Sequence, residues 1–298
     1  MIEKTSSGAK KVEKRYDFIL LFDCLRGSPN SNPDTNGPRL DNQTMFGLVS
    51  DVCLKRKIRN YIAEAMKGVP GYRIFVQKGV SLETYQAEPY QKLEALKDKE
   101  KKQKKDKVDK DCISMAREYM CREFFDNRTF GAVMATTAFN CGQVEGPVQI
   151  TFARSIDPVF PEIHPITRMA YTTEEKRLGT NGETEMGSKT IIPYGLYQSY
   201  GFISRNSTGF SEEDLAILWK ALLNMWDMDR SASRGLMATQ KLVIFEHESS
   251  LGESPANKLF DLVKISKKEG VEFPRSFSDY NFSIDEKNLP KGVKLTVL

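Results

Sequence analysis

Lys55, Arg56 and Arg59 recur at helical spacing. At roughly 100° per residue they share the flank of an apolar arc formed by Leu54, Ile58, Tyr61, Ile62 and Ala65, with Lys57 turned away. A cation cluster of this kind suits the phosphates of a nucleic acid. It also suits a plain solvated helix face, because basic faces are common. Just upstream, Arg26 and Arg39 bracket a loop dense in Gly, Pro and Asn. Asp23, Asp34 and Asp41 lie in or beside that loop, and converging carboxylates are what a metal-assisted nuclease requires. Aspartate next to Pro and Asn is equally an ordinary turn former. Histidine-based chemistry has little material, since the chain has only His164 and His247. The five cysteines, at 24, 53, 112, 121 and 141, make no C-x-x-C pair. An odd count without that spacing suggests neither a zinc ribbon nor a disulfide framework, and a reduced, cytoplasmic setting fits.

The totals set broad limits. A chain of 298 residues can bury a substantial core without staples, and one or two domains is the expectation. With 40% apolar and 28% charged residues the composition is that of an ordinary globular protein. The net charge of +4 is too modest to announce nucleic-acid binding, so any such reading depends on where the charges sit. No apolar run approaches a membrane span, and the polar N-terminus lacks a signal-peptide core.

The elements that must position these residues follow in order. Residues 1–14 read as a loose basic arm. Tyr16 to Phe22 is a short apolar and aromatic run of the kind that fills a sheet interior. The loop from Arg26 to Arg39 cannot continue a strand or helix, and a helix is predicted from about Gly47 to Met66. Gly71 to Gln77 reads as a second strand. From Ser81 to about Lys110 a lysine-rich mixed-charge stretch suggests either a solvated helical insertion or a lysine-rich finger that touches nucleic acid. Cys112 to Phe125 looks helical, with a turn following at Asp126 to Gly131. From Gly146 to Ala153 the sequence alternates, with Val148, Ile150 and Phe152 on one face and Gln149 and Thr151 on the other. Polar residues dominate from Ile166 to Ile192, where Gly179 to Gly182 could turn a long hairpin. Gly195 to Ile203 is an aromatic-rich strand. Ser211 to Asp214 resembles a capping box, and Leu215, Leu218, Trp219, Leu222, Leu223 and Trp226 form a core-facing helical stripe. Leu242 to Phe245 and Val293 to Leu298 read as further strands. Periodicity supports an α+β fold and no finer assignment.

Several ordered motifs carry a family resemblance. RYDFILLFDCLRGSPNSNPD…NGPRLDNQTMFGLVSDVCLKRKIRNY (Arg15 to Tyr61) resembles the N-terminal signature of the backbone subunit of type I-C CRISPR effector (Cascade) complexes, a Csd-type member of the RAMP superfamily. The likeness continues through GPVQ (Gly146–Gln149), Phe152, Ser155–Pro158, Ile166–Arg168, MGSKTIIPYGLY (Met186–Tyr197), GFIS (Gly201–Ser204), TGFSEEDL (Thr208–Leu215) and DRSASRG (Asp229–Gly235), reaching about Glu246. The turn Leu25–Ser28 departs from the asparagine-rich, acidic form more usual in the family.

The resemblance implies a single RRM-like (ferredoxin-like) domain over 15–298, with a helical finger insertion near 81–125 and a protruding thumb hairpin near 165–192. It implies a non-catalytic subunit without cofactor or metal. Copies would line up head to tail along a guide CRISPR RNA and present it for pairing with target DNA, beside other Cascade subunits and away from membranes. The RNA contacts implied are Arg26, Asn30, Asn32, Arg39, Lys55, Arg56 and Arg59 on the palm, with Arg128 and Gln149. Arg154, Arg168 and Lys189 belong near the thumb base. Met186 is either a soft wedge against a base or hairpin packing. Arg230 and Arg234 serve RNA or the subunit interface. The rival readings are a metal-dependent RNA endonuclease of the same superfamily and a stand-alone single-strand binder.

Overall fold

The computed structural model describes residues 10–97, 105–135, 138–167, 170, 173–179, 186–204 and 207–298. The chain opens with β1 (Tyr16–Gly27), whose side chains are buried on both faces of a sheet. Phe18, Leu20, Phe22 and Cys24 enter one core, while Ile19 and Leu21 enter another on the opposite face. Each fully buried Phe or Leu in this strand contributes about 2 kcal/mol by leaving water. After the Gly/Pro/Asn loop, β2 (Phe46–Val49) leads into α1 (Asp51–Ala65). The helix starts later than its pattern predicts. Ser50 has extended backbone and caps it, accepting from the Cys53 amide, while Phe46 and Leu48 pair with a later strand.

The centre of the lysine-rich stretch, 98–104, lies outside the described residues; on either side of it are α2 (Leu82–Lys97) and α3 (Lys105–Glu123), followed by the short α4 (Phe125–Phe130) and the ladder β3 (Gly131–Val133) with β4 (Gln143–Glu145). Phe75, Tyr119, Met120, Phe124, Met134 and Cys141 give this part its own core. The segment Gly71 to Gln77 makes no strand beyond one bridge between Arg73 and Phe124. The buried Asp126 carboxylate accepts instead from the amides of Phe75 (2.8 Å) and Val76 (3.1 Å), taking the place of a neighbouring strand. Asp126 to Phe130 is correspondingly a turn of helix and not an open turn.

The alternating run divides into β5 (Val148–Ile150) and β6 (Ala153–Pro158). Thr151 causes the break: its amide donates to the Tyr200 carbonyl and its hydroxyl accepts from the Tyr200 amide. The alternation slips there, so Phe152 is 58% exposed while Ala153 is buried. β7 (Glu162–Thr167), α5 (Glu174–Gly179) and β8 (Met186–Ile203) follow. β7 is exposed throughout and pairs with Met186–Ile191, the part of β8 that precedes its pairing with β1. Part of the expected hairpin turn, at 180–182, lies outside the described residues. α6 (Glu212–Asn224) has the full capping box of Ser211 and Asp214.

β9 (Leu236–His247), α7 (Ala256–Phe260), β10 (Val263–Lys267), β11 (Tyr280–Ile284) and β12 (Val293–Val297) complete the chain. The main sheet runs β12-β9-β1-β8-β6-β2, with β5 and β7 also paired to β8, and its ladders are antiparallel. α1 and α6 pack on one face, where Phe22 lies 5.4 Å from Tyr197 and 4.7 Å from Trp226. The second face is covered too. Leu259, Val263 and Phe260 sit there with Ile19, Val243 and Phe245, and Phe260 stacks on Tyr200 at 4.5 Å.

Candidate nucleic-acid interface

Four segments meet beyond the C-terminal end of β1. They are the loop after β1, the start of α1, the stretch Asp229–Gly235 and the outer part of β8. The contacts leave little slack. The Ser28 amide donates to the Ser233 carbonyl (2.8 Å) and the Cys24 thiol to the Arg234 carbonyl (3.3 Å). Lys189 Nζ donates to the Ala232 carbonyl. A Cβ on Gly27 would fall 2.0 Å from the Arg234 carbonyl oxygen, and one on Gly235 would fall 2.3 Å from that of Leu25. Arg26, next to Gly27, adopts a left-handed backbone (φ 51°) and is exposed.

The Gly/Pro/Asn loop is held against α1. Asn30 Oδ1 accepts from both the amide and the hydroxyl of Ser50 at 3.0 Å, which bolts the loop to the helix cap. The Arg39 amide returns to the Asn30 carbonyl (3.0 Å) and the Asn32 amide to that of Gly37 (2.7 Å). Asn32 Oδ1 accepts from the Asp34 amide. These asparagines build the loop; of the arginines that flank it, Arg26 is exposed and Arg39 is half-buried, its Nε without a hydrogen-bond partner among the described residues.

The helix distributes its cations differently from its wheel. Only Arg56 is exposed, bonded to Asn60 Oδ1 at 3.1 Å. Lys55 pairs with Asp51 (3.0 Å) and Arg59 with Asp126 (2.8 Å), and both lie over the Phe130 ring. Lys57, expected to face away, is 1% exposed. Its ammonium lies 5.4 Å from the Trp226 ring and bonds to Asp229 Oδ2. Burial pulls its pKa below the ordinary lysine value. The same carboxylate oxygen is 2.8 Å from Arg234 Nε, so one oxygen serves two cations.

The remaining candidates fall into distinct environments. Arg128 is buried, with Nε and Nη2 on Asp214 at 2.9 and 2.7 Å, and belongs to the interior. Gln149 donates to the Gly146 carbonyl at 3.1 Å. Arg154 is exposed on the far edge of the sheet, its guanidinium 3.8 Å from the Phe46 ring centre. Arg230 is exposed and paired with Asp227. Met186, opposite Thr167 on the outer hairpin, is 78% exposed. Arg168 lies outside the described residues. Among the described residues, Arg26, Arg39 and Arg154 have no carboxylate within ion-pair distance. Lys57 and Asp229 are the participants that sequence reasoning missed; the one available signal was DRSASRG, in which Asp229 stands beside two arginines.

The carboxylates of the nuclease reading do not gather. Asp23 is largely buried, with Tyr194 donating to it at 3.1 Å, and burial raises its pKa despite that bond. Asp41 accepts from the Thr44 hydroxyl and the Gln43 amide, and the Thr44 bond leads in lowering its pKa. Asp34 is exposed in the turn. Among the described residues no group of three His, Cys, Asp or Glu is placed to hold a metal ion. Burial pushes the Cys24 thiol up to about 12 and the Cys121 and Cys141 thiols up to about 11, so these sulfurs are poor nucleophiles. No helix among the described residues is long and apolar enough to cross a membrane.

An antiparallel α+β fold with an arginine-bearing edge defines a class of candidate nucleic-acid binders. Residues 14–285 match the family described as CRISPR-associated protein Cas7, and the chain belongs to that family. A CRISPR-associated protein Cas7 of Haloferax volcanii is 24% identical over 297 aligned positions, covering 91% of this chain and 81% of the relative. Among solved structures, a chain of a "CRISPR RNA-guided surveillance complex, pre-nicking" aligns at 15% identity with a TM-score of 0.47, covering 78% of this chain and 75% of the other. A chain of another "CRISPR RNA-guided surveillance complex" aligns at 12% identity with a TM-score of 0.43, covering 78% and 68%.

Proposed function

We propose that this chain is a non-catalytic backbone subunit of a CRISPR effector complex of type I-C. It binds a guide CRISPR RNA chiefly through phosphates, lines up head to tail with further copies beside the other subunits, and holds the guide for pairing with target DNA. The observation that carries this reading is the set of cations around the interlocked loops. Arg26 and Arg39 have no carboxylate partner among the described residues, and Arg56 and Arg230 project nearby on the same segments. Such cations recognise phosphate without reading base identity.

The topology supports an RRM-like core. The spatial order β9-β1-β8-β6, with α1 following β1 and α6 preceding β9 in the chain, is compatible with the β-α-β-β-α-β arrangement of ferredoxin-like folds. Because α7 and the β10–β11 pair cover much of the sheet face opposite the helices, RNA would follow the edge where the loops meet. The β7–β8 hairpin supplies the thumb, with Met186 positioned to wedge against a base. The helices α2 and α3 supply the finger. The hydrogen bonds that occupy Asp23 and Asp41, with no group of three possible metal ligands among the described residues, favour binding over nuclease chemistry.

Analytical ultracentrifugation with single-stranded RNAs of increasing length tests the proposal. A subunit that passes RNA to the next copy in one orientation needs a heterologous, open-ended interface. Assemblies should therefore grow in steps with RNA length, from a protein that is monomeric or weakly associated alone. A two-fold dimer whose mass ignores RNA length would overturn it, and cleavage of labelled RNA on adding a divalent metal would favour the nuclease.

A further inference from the structure

The Lys57 ammonium is buried and cannot itself reach a ligand, yet it sits one residue-contact from the proposed interface. Its partner oxygen, Asp229 Oδ2, also lies 2.8 Å from Arg234 Nε. Arg234 is about one-third exposed (34%), and its two terminal nitrogens have no hydrogen bond among the described residues. The Asp229 side chain is 10% exposed, so its charge is shielded from solvent and acts on its immediate neighbours.

Counting charge across the three groups gives two cations and one anion, a net of one positive charge. Without Lys57, Asp229 and Arg234 would form a neutral pair. A structural role alone would show as lost stability when Lys57 is replaced, without any change in how binding responds to salt.

We propose that Lys57 is a positioning residue for phosphate binding: it neutralises Asp229, so that the guanidinium of Arg234 keeps its charge for a phosphate of bound single-stranded RNA. The proposal rests on the RNA-binding reading above and assigns Arg234 to the RNA.

The test uses the full chain and a fluorescent oligouridylate titrated at several salt concentrations. Lys57→Met should fold with a lowered melting temperature, because the Asp229 carboxylate loses its ammonium partner and keeps only Arg234. Its affinity should fall about tenfold at moderate salt, and the slope of log affinity against log salt should flatten by about 0.7, one contact on a single strand. Adding Asp229→Asn should restore the slope, because Arg234 is then no longer neutralised. In an Arg234→Gln background, Lys57→Met should leave the slope unchanged. A Lys57→Met protein with an unaltered slope would overturn the proposal, as would a double variant no better than the single, because the loss would then not pass through Asp229. Should Lys57→Met not fold, Asp229→Asn alone decides: it must keep the full slope while lowering stability, and a flattened slope refutes the idea. Absence of any RNA binding by the unsubstituted protein would remove the underlying reading as well, whereas binding with insensitive slopes removes only this inference.

Discussion

Arg128 and Asp214, 86 residues apart in the chain, form a bidentate, largely buried ion pair. Asp214 is also the reciprocal member of the α6 capping box, and Arg128 Nη1 reaches the Gly71 carbonyl. One interaction thus joins α4, the loop after α1 and the start of α6. Arg128→Ala should lower stability by about 3–5 kcal/mol, because it strands a buried carboxylate. Denaturant melts should show this loss. Per folded molecule, the salt slope of RNA binding should not change.

The crossing of Gly27 and Gly235 supports a contrast between two alanine substitutions. Gly27→Ala would drive its Cβ to 2.0 Å from a backbone oxygen, whereas a Cβ on Gly79 would meet nothing within 4 Å. Gly27→Ala should cost about 2 kcal/mol or more and weaken RNA binding by displacing Arg26 and Arg234. Gly79→Ala should cost about 1 kcal/mol, from its left-handed backbone alone, and leave binding intact. Thermal melts with parallel RNA titrations measure both.

Arg26, Arg39 and Arg56 should act as phosphate ligands. Replacing each by Ala should flatten the salt slope by up to about 0.7 per lost contact. The affinity loss should be similar for RNAs of unrelated sequence. A loss confined to one RNA in filter-binding assays would indicate base readout instead.

Acid should loosen the helical insertion through Glu88. Its carboxylate accepts two bonds from Arg73, at 2.8 and 2.6 Å, and one from the Tyr119 hydroxyl. The Arg73 bonds lead in holding its pKa below the ordinary glutamate value. A carboxyl whose folded pKa is depressed contributes its full stabilisation above the unfolded value and loses it as pH falls through the folded one. Stability should therefore decline below about pH 4.5, and Glu88→Gln should remove that component. Urea melts of both proteins across this range provide the comparison.

Deleting 172–181 should leave a folded protein, since β7 is exposed along its length and the cores lie elsewhere. Stepwise assembly on long RNA should be impaired. Unfolding of the deletion variant, read by circular dichroism, would place this hairpin in the core.

The sequence was most informative where a local pattern has a local cause. The largely apolar run at Tyr16–Phe22, with Asp17 its one charged residue, had to lie inside a sheet, the Leu/Trp stripe with its Ser211–Asp214 cap had to start and bury α6, and the loop after β1 had to bend. Its order of motifs also carried the family. Extended segments were harder to read: Gly71–Gln77 has strand composition but lost its ladder to the Asp126 carboxylate, and Thr151 reset the alternation that should have buried Phe152. The basic helix shows the same limit most sharply. A helical wheel places Lys55, Lys57 and Arg59 by angle, but whether a cation is available depends on which carboxylate folding brings beside it. Asp126 and Asp229, far away in the chain, occupy Arg59 and Lys57, while Arg26 and Arg39 meet no carboxylate among the described residues. Charge in the sequence is a property of each residue; its availability to a phosphate is a property of neighbours, and only the tertiary structure supplies those.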